Sequence, residues 1–112
     1  MKKILLFSDN TGLRKSWAMT LASRNYTLFS LVETIYALAL AQSTSDIAVV
    51  LVDPLSSWPR TVAFLQELRT LLPKAAILVH VDELEKPYLP ESLSAIPVEV
   101  VFKHSWLEAV LK

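Results

Sequence analysis

Short apolar runs alternate with longer segments of helical periodicity along the whole chain. The run Ile47-Ala48-Val49-Val50-Leu51-Val52 is continuous and rich in β-branched residues, which is typical of a parallel strand buried on both faces. Such runs predict strands at residues 3–8, 26–30, 47–52, 75–81 and 98–102. The alternation of strands and helices predicts a single domain over residues 1–112, in which helices cover both faces of a parallel sheet.

Apolar positions at helical spacing predict four main helices between and after these strands. They lie at residues 13–23, 32–42, 59–72 and 105–111. The turn Asn10-Thr11-Gly12 is able to cap the first helix, and Pro73 ends the third. The inner faces of the first two helices are expected to include Met19 and Ile35. Three prolines between residues 82 and 97 leave room for only a short helix there.

Gly12 is the single glycine of the chain, which is unusual for this class of fold. Left-handed positions at helix ends and in tight turns normally take several glycines. Asparagine and serine are therefore expected to fill those positions, and Arg24-Asn25 is a predicted turn.

Composition and charge narrow the range of functions. Apolar residues make up 53% of the chain and charged residues 20%, a balance that excludes a disordered protein. The 11 basic and 11 acidic residues cancel, and no basic stretch indicates nucleic-acid binding. The absence of cysteine excludes disulfides, thiolate zinc sites and cysteine nucleophiles. No segment has the length of a membrane span, so a soluble cytoplasmic protein is the expectation.

Three charged residues follow predicted strands at their carboxyl ends, where open α/β sheets place their functional sites. Asp9 follows the first strand, Asp53 the third and Lys103 the fifth. Two carboxylates held close together repel each other unless a cation lies between them, and Mg²⁺ suits such a pair. A lysine opposite them would neutralise an added phosphoryl group. The three residues therefore suit phosphoryl transfer onto a carboxylate, with Asp53 as the nucleophile.

The chain resembles the receiver domain of two-component response regulators over essentially its whole length. The likeness rests on Ser8-Asp9-Asn10 after the first strand, on Asp53 at the end of the third, and on Phe102-Lys103 at the end of the fifth. Asp9 and Asp53 are 44 residues apart, the usual spacing in receivers. The resemblance implies a flavodoxin-like, doubly wound parallel five-stranded sheet of strand order 2-1-3-4-5, a three-layer αβα sandwich.

The resemblance also implies roles for individual residues. Asp53 would be the phosphoacceptor and Lys103 its phosphoryl partner. Mg²⁺ would be held by Asp9, Asp53 and the backbone carbonyl of Leu55. A histidine kinase or another signalling protein would be the partner in a phosphorelay. Such a domain is not an enzyme acting on a separate substrate, and the sequence does not distinguish a stand-alone module from a domain of a longer protein.

Several positions depart from the pattern of the family. Ser8 stands where receivers have the first of two acidic residues, which removes a charge from the metal site. His80 stands at about the position of a serine or threonine hydroxyl. The aromatic switch position falls on Val100, and His104 replaces the proline that usually follows the lysine. These departures favour a pseudo-receiver, which binds partners without accepting a phosphoryl group.

Structural roles without chemistry remain open for the same residues. Asp53 could cap the turn that follows its strand. Asp9 could be the N-cap of the first helix, and Lys103 could pair with Asp53. The Thr-Gly turn after the first strand also resembles the phosphate loop of flavodoxins, so a small flavodoxin-like domain that binds flavin or another ligand is the alternative.

Two tryptophans near the same edge are candidates for partner binding. Trp58 lies in the loop after Asp53, and Trp106 opens the last helix. Exposed tryptophans are common anchors of protein interfaces, although packing over the site would also explain them. Leu107, Val110 and Leu111 continue the last helix as an apolar stripe, which predicts an interface at this C-terminal region, with either a partner protein or a second copy as a homodimer.

Overall fold

A computed structural model describes all residues from 1 to 112 and contains one all-parallel sheet of strand order β2-β1-β3-β4-β5. The strands are β1 (Lys3–Phe7), β2 (Thr27–Leu31), β3 (Ile47–Val52), β4 (Ala76–Val81) and β5 (Glu99–Phe102). The helices are α1 (Thr11–Leu21), α2 (Thr34–Ser43), α3 (Trp58–Leu71), α4 (Glu91–Ser94) and α5 (Trp106–Leu111). The predicted fold class and strand order are confirmed, and strand boundaries agree to within one residue.

Two hydrophobic cores lie on opposite faces of the sheet. The larger core packs α2 and α3 against side chains such as Phe7 and Val52. The smaller core packs α1 and α5 against side chains such as Leu6 and Leu51. Because β1 and β3 are covered on both faces, their side chains are almost all fully buried, and each large apolar side chain so buried contributes about 1.5–3 kcal/mol. This burial holds the carboxyl ends of β1 and β3 in place.

Local hydrogen bonds explain where the helices begin and end. The side chain of Asn10 accepts a hydrogen bond from the backbone nitrogen of Leu13 at 3.0 Å, so Asn10 is the N-cap of α1. Ser57 caps α3 in the same way. Asn25 adopts a left-handed conformation (φ 58°) after a 3₁₀ turn that ends α1, which confirms that asparagine takes a glycine position here.

The predicted inner faces of α1 and α2 were partly wrong. Met19 is 79% exposed and Ile35 is 67% exposed. The buried positions are instead Trp17 and Leu21 in α1 and two alanines in α2. For α2, the error arises because the helix is apolar around its whole circumference, so its sequence does not mark one face as the inner one.

The segment between β4 and β5 contains little regular α-helix, as its prolines predict. A 3₁₀ stretch covers Glu83–Tyr88, and α4 has only four residues. No helix of the chain combines the length and the apolar character that crossing a membrane requires.

Candidate functional site

A hydrogen bond between Ser8 and Asp53 forms the centre of the carboxyl edge of the sheet. Phe7 of β1 pairs with Val52 of β3, which places the next residue of each strand side by side. Ser8 Oγ donates to Asp53 Oδ2 at 2.8 Å and accepts from the backbone nitrogen of Asn10 at 2.9 Å. Ser8 is completely buried. The Ser8 hydroxyl is therefore oriented by one donor and one acceptor, and its proton is directed at the Asp53 carboxylate.

Burial raises the pKa of the Asp53 carboxyl, and this is the largest influence on it. The Ser8 hydrogen bond and the nearby His80 lower that pKa, whereas the charges of Asp9 and Glu85 raise it. The balance is upward because no cation is close enough to compensate for the lost hydration. Asp53 is thus a half-buried carboxylate whose main stabilising contact is a neutral hydroxyl.

His80 lies beside Asp53 at the end of β4 and links the site to the smaller core. Its burial lowers its pKa, and the charge of Asp53 acts in the opposite direction. The His80 ring meets the Trp17 ring edge to face, with centroids 5.3 Å apart. The Trp17 ring is in turn 6.3 Å from that of Trp106. The imidazole therefore packs against the Trp17 ring and lies within the electrostatic influence of Asp53.

Lys103 shares the Asp53 cleft without pairing with the acid. A cleft of about 390 Å³ is lined by Asp53, His80, Lys103 and His104, among others. Lys103 is exposed, and the chain's only ion pair within 4.0 Å joins Lys3 to Asp46. The predicted pairing of Lys103 with Asp53 is therefore wrong.

Asp9 and Leu55 line a different cavity from Asp53. That cavity has a volume of about 280 Å³ and also includes Glu33 and Arg60. Asp9 is exposed. Its alternative role as N-cap is wrong, because Asn10 holds that position. Asp9 is nevertheless near enough to Asp53 for its charge to raise the pKa of the Asp53 carboxyl.

Thr61, which the sequence analysis missed, fixes the loop that carries Leu55. Thr61 is completely buried. Its Oγ1 accepts from the backbone nitrogen of Leu55 and donates to the backbone oxygen of Ser57, each at 2.9 Å. A threonine in the first turn of a helix, four residues after a serine cap, is the sequence signal that could have indicated this contact.

The donor atoms at this edge fit Mg²⁺ poorly. Magnesium requires an octahedral set of hard oxygen ligands, usually with one or two carboxylates. One oxygen of Asp53 is already bound by the Ser8 hydroxyl, and Asp9 lies in the neighbouring cavity. No group of three or more histidine, aspartate or glutamate side chains is placed to hold a metal ion. The protein ligands at this edge are therefore limited to the two carboxylates and the Leu55 carbonyl, and the Ser8 hydroxyl competes for one oxygen of Asp53.

The remaining predicted residues are held by packing. Val100 is half-buried on β5 beside Val79 and packs against the larger core. Trp58 is half-buried at the start of α3 and packs against the same core. Trp106 is half-buried against the smaller core. Both tryptophans therefore have a packing role, and each leaves part of its ring exposed.

Comparisons with known proteins show the fold of a receiver domain. No known protein family and no curated protein matches the sequence. Among solved structures, a response regulator from Burkholderia pseudomallei with a phosphorylated aspartic acid, calcium ion and citrate matches with TM-score 0.74 and 21% identity. The match covers 99% of this chain and 65% of that one, so this chain spans less than two thirds of that regulator.

Two further structures match over nearly their full length. Vibrio cholerae chemotaxis protein CheY4 has TM-score 0.77 and 19% identity, with 99% of this chain and 97% of that chain covered. Response regulator protein TrrA from Thermotoga maritima, in complex with Mg²⁺ and BeF, has TM-score 0.76 and 20% identity, with 99% and 96% covered. These comparisons favour the receiver fold and do not favour the flavodoxin alternative.

Proposed function

We propose that this chain is a receiver-like signalling domain that acts as a pseudo-receiver, binding a histidine kinase or another signalling protein without phosphorylation of Asp53. The observation that carries the proposal is the hydrogen bond from Ser8 Oγ to Asp53 Oδ2. It occurs at the end of β1, where the resemblance to receivers leads one to expect an acidic side chain. A neutral donor on the carboxylate takes the place that a metal ion would need.

The electrostatics of the cleft support the same proposal. Adding a phosphoryl group to Asp53 would bring further negative charge into a half-buried position whose carboxyl pKa is already raised. Compensating positive charge is needed for such a transfer. Lys103 lines the cleft, but it is exposed and forms no ion pair. The chain therefore lacks an organised cation at the point where charge would develop.

Phosphoryl acceptance on Asp53 is the second candidate function. Asp53 Oδ1 accepts no hydrogen bond from the protein, so one oxygen remains able to act as nucleophile. Lys103 and His80 line the cleft around it. In this case a divalent cation would bind weakly through Asp9, Asp53 and the Leu55 carbonyl. Neither candidate involves turnover of a separate substrate, and a cytoplasmic location belongs to both.

The two candidates are separated by intact mass measurement after incubation with acetyl phosphate and Mg²⁺. The wild type, Asp53→Ala and Ser8→Asp are treated in parallel, and circular dichroism verifies that each is folded. The pseudo-receiver proposal expects no added phosphoryl group on the wild type. Addition to the wild type that requires Mg²⁺ and is lost in Asp53→Ala would overturn it and establish an active receiver.

A further inference from the structure

The two edge strands of the sheet differ in how well they are protected from pairing with another chain. An unpaired edge exposes backbone donors and acceptors, and proteins usually block it with charge, proline or short length. At one edge, β5 has only four residues, follows Pro97 and carries the exposed Glu99. The guanidinium of Arg69 also donates to the backbone oxygen of Pro97 at 3.0 Å. This edge is protected.

The other edge, β2, carries none of these devices in its own sequence, although the guanidinium of Arg14 in α1 donates to Ser30 Oγ at 3.1 Å. Residues 25–32 contain no charged residue, no proline and no glycine. All five residues of β2 pair with β1 in an unbroken register, so the strand contains no bulge. A continuous edge strand without charged residues is a template for another strand. The difference between β2 and β5 indicates that β2 is available for pairing.

The direction of each backbone group in β2 follows from its bonds to β1. The Thr27 nitrogen donates to the Lys2 oxygen, and the Leu31 oxygen accepts from the Ser8 nitrogen. Since N–H and C=O directions alternate along a strand, the odd-numbered residues of β2 point inward. Leu28 and Ser30 therefore direct their N–H and C=O groups away from the sheet. An extended backbone of another chain matches such a row of groups.

Apolar side chains flank this edge on both faces of the sheet. Helix α2, which contacts β2, carries no charged residue. At or next to its amino end, Val32, Ile35 and Tyr36 are 43%, 67% and 62% exposed. On the other face, α1 also contacts β2 and exposes Met19. A helix that is apolar all round is usually covered by something on each side.

We propose that a second copy of this chain covers the edge, by antiparallel pairing of β2 with β2 about a two-fold axis at Phe29. In this register Leu28 faces Ser30 of the second copy, Tyr26 faces Val32, and the outward backbone groups bond in pairs. A two-fold interface of this kind uses the same surface on both copies and closes at the dimer. The sheet becomes continuous over ten strands, five from each copy.

Charge complementarity favours a second copy over a strand of another protein. Arg24 lies before β2 and Glu33 lies after it, and neither forms an ion pair within the chain. An antiparallel two-fold arrangement brings Arg24 of each copy to the end of the strand where Glu33 of the other copy lies. The stretch between them carries no charged residue, so the two strands themselves bring no like charges together, and Arg14, which donates to Ser30 Oγ, is the charge that the interface has to accommodate. The edge is thus complementary to itself at both ends.

This interface is independent of the Asp53 site and differs from the C-terminal dimer surface expected from the sequence. The axis runs through the β2 edge, whereas the Asp53 cleft lies at the carboxyl ends of β3 and β4. Antiparallel pairing directs the two Asp53 clefts to opposite ends of the dimer. Each copy therefore keeps its cleft open to a partner.

The first test measures the mass of the complete chain in solution by light scattering over a concentration series. Ser30→Pro removes an outward N–H that makes no hydrogen bond within one copy, a change that edge strands accept. Ser30→Ala is the matched control, because both variants lose the contact of Ser30 Oγ with Arg14. We expect dimers for the wild type and Ser30→Ala. For Ser30→Pro we expect a dissociation constant at least about tenfold higher, because both copies lose a bond.

A second test uses charge reversal at exposed positions, with circular dichroism to verify the monomer fold because Arg24 donates to the backbone oxygen of Thr20. Arg24→Glu alone and Glu33→Arg alone should each weaken the dimer, and the double variant should restore it. A wild type that stays at 12.6 kDa at every concentration overturns the proposal and leaves the edge to a different protein. A dimer that is unchanged by Ser30→Pro and by both single reversals also overturns it.

Discussion

Ser8 and Asp53, which are 45 residues apart, are joined by a 2.8 Å hydrogen bond between a buried hydroxyl and a half-buried carboxylate. The contact depends on the parallel register of β1 and β3. It gives Asp53 a neutral partner at the place where a second acid and a cation would otherwise be expected. The proposal that this chain is a pseudo-receiver rests on this replacement of an acid by a serine.

Ser8→Asp should create a divalent metal site. The added carboxylate would lie against Asp53, and repulsion between the two would favour a cation between them. We expect Mg²⁺ to bind at least about tenfold more tightly than to the wild type, because added ligand charge raises affinity. Isothermal titration calorimetry measures the change, with Ser8→Asn as the uncharged control of similar size. Equal Mg²⁺ affinity of Ser8→Asp and Ser8→Asn would contradict the view that position 8 corresponds to the first acidic residue of a receiver metal site.

Asp53→Asn should stabilise the protein at neutral pH and lose that advantage in acid. Burial raises the pKa of Asp53 above its ordinary value of 3.8, so the folded state binds a proton more readily than the unfolded state. The stability associated with this group is present below pH 3.8 and is lost as the pH rises through the raised pKa. Asparagine does not ionise, and so it avoids this loss. Urea unfolding at several pH values measures the free energy of unfolding of Asp53→Asn and of the wild type. The difference between the two should vanish below pH 3.8.

The pKa of His80 should respond to the charge of Asp53. Burial holds the His80 pKa below its ordinary value of 6.5, and Asp53 opposes this effect. Replacing Asp53 with Asn should therefore lower the pKa of His80 further. NMR titration in a His104→Gln background observes His80 alone. Asp46→Asn, at the opposite end of β3, is the control. If it lowered the pKa of His80 as much as Asp53→Asn does, the proximity of His80 and Asp53 would be contradicted.

Thr61→Val should destabilise the protein although the two side chains have the same shape. The substitution leaves the backbone nitrogen of Leu55 without its partner and removes the donor to Ser57. The expected loss is about 1–3 kcal/mol, the cost of a buried unpaired group. Thr61→Ser retains the hydroxyl, so its free energy of unfolding should fall by less than that of Thr61→Val. Denaturant unfolding measures both, and equal stability of Thr61→Val and the wild type would contradict the role of Thr61.

The local pattern of the chain determined its elements, their order and the class of fold. The continuous apolar run at Ile47–Val52 predicted β3 with its observed bounds, because a strand buried on both faces needs no polar side chain. The helix cap at Asn10 and the left-handed turn at Asn25 could be predicted, because capping and left-handed conformation depend on only a few neighbouring residues. The presence of Asp9, Asp53 and Lys103 at strand ends followed from the same elements.

Only the tertiary structure decided which of those residues meet. The register of β1 against β3 joined Ser8 to Asp53, while Asp9 lines another cavity and Lys103 shares the Asp53 cleft without pairing with the acid. The exposed face of α2 and the outward groups of β2 likewise became visible only once the strand order made β2 an edge. Contacts between distant residues depend on register and side-chain direction, and these are set by the packing of the whole domain.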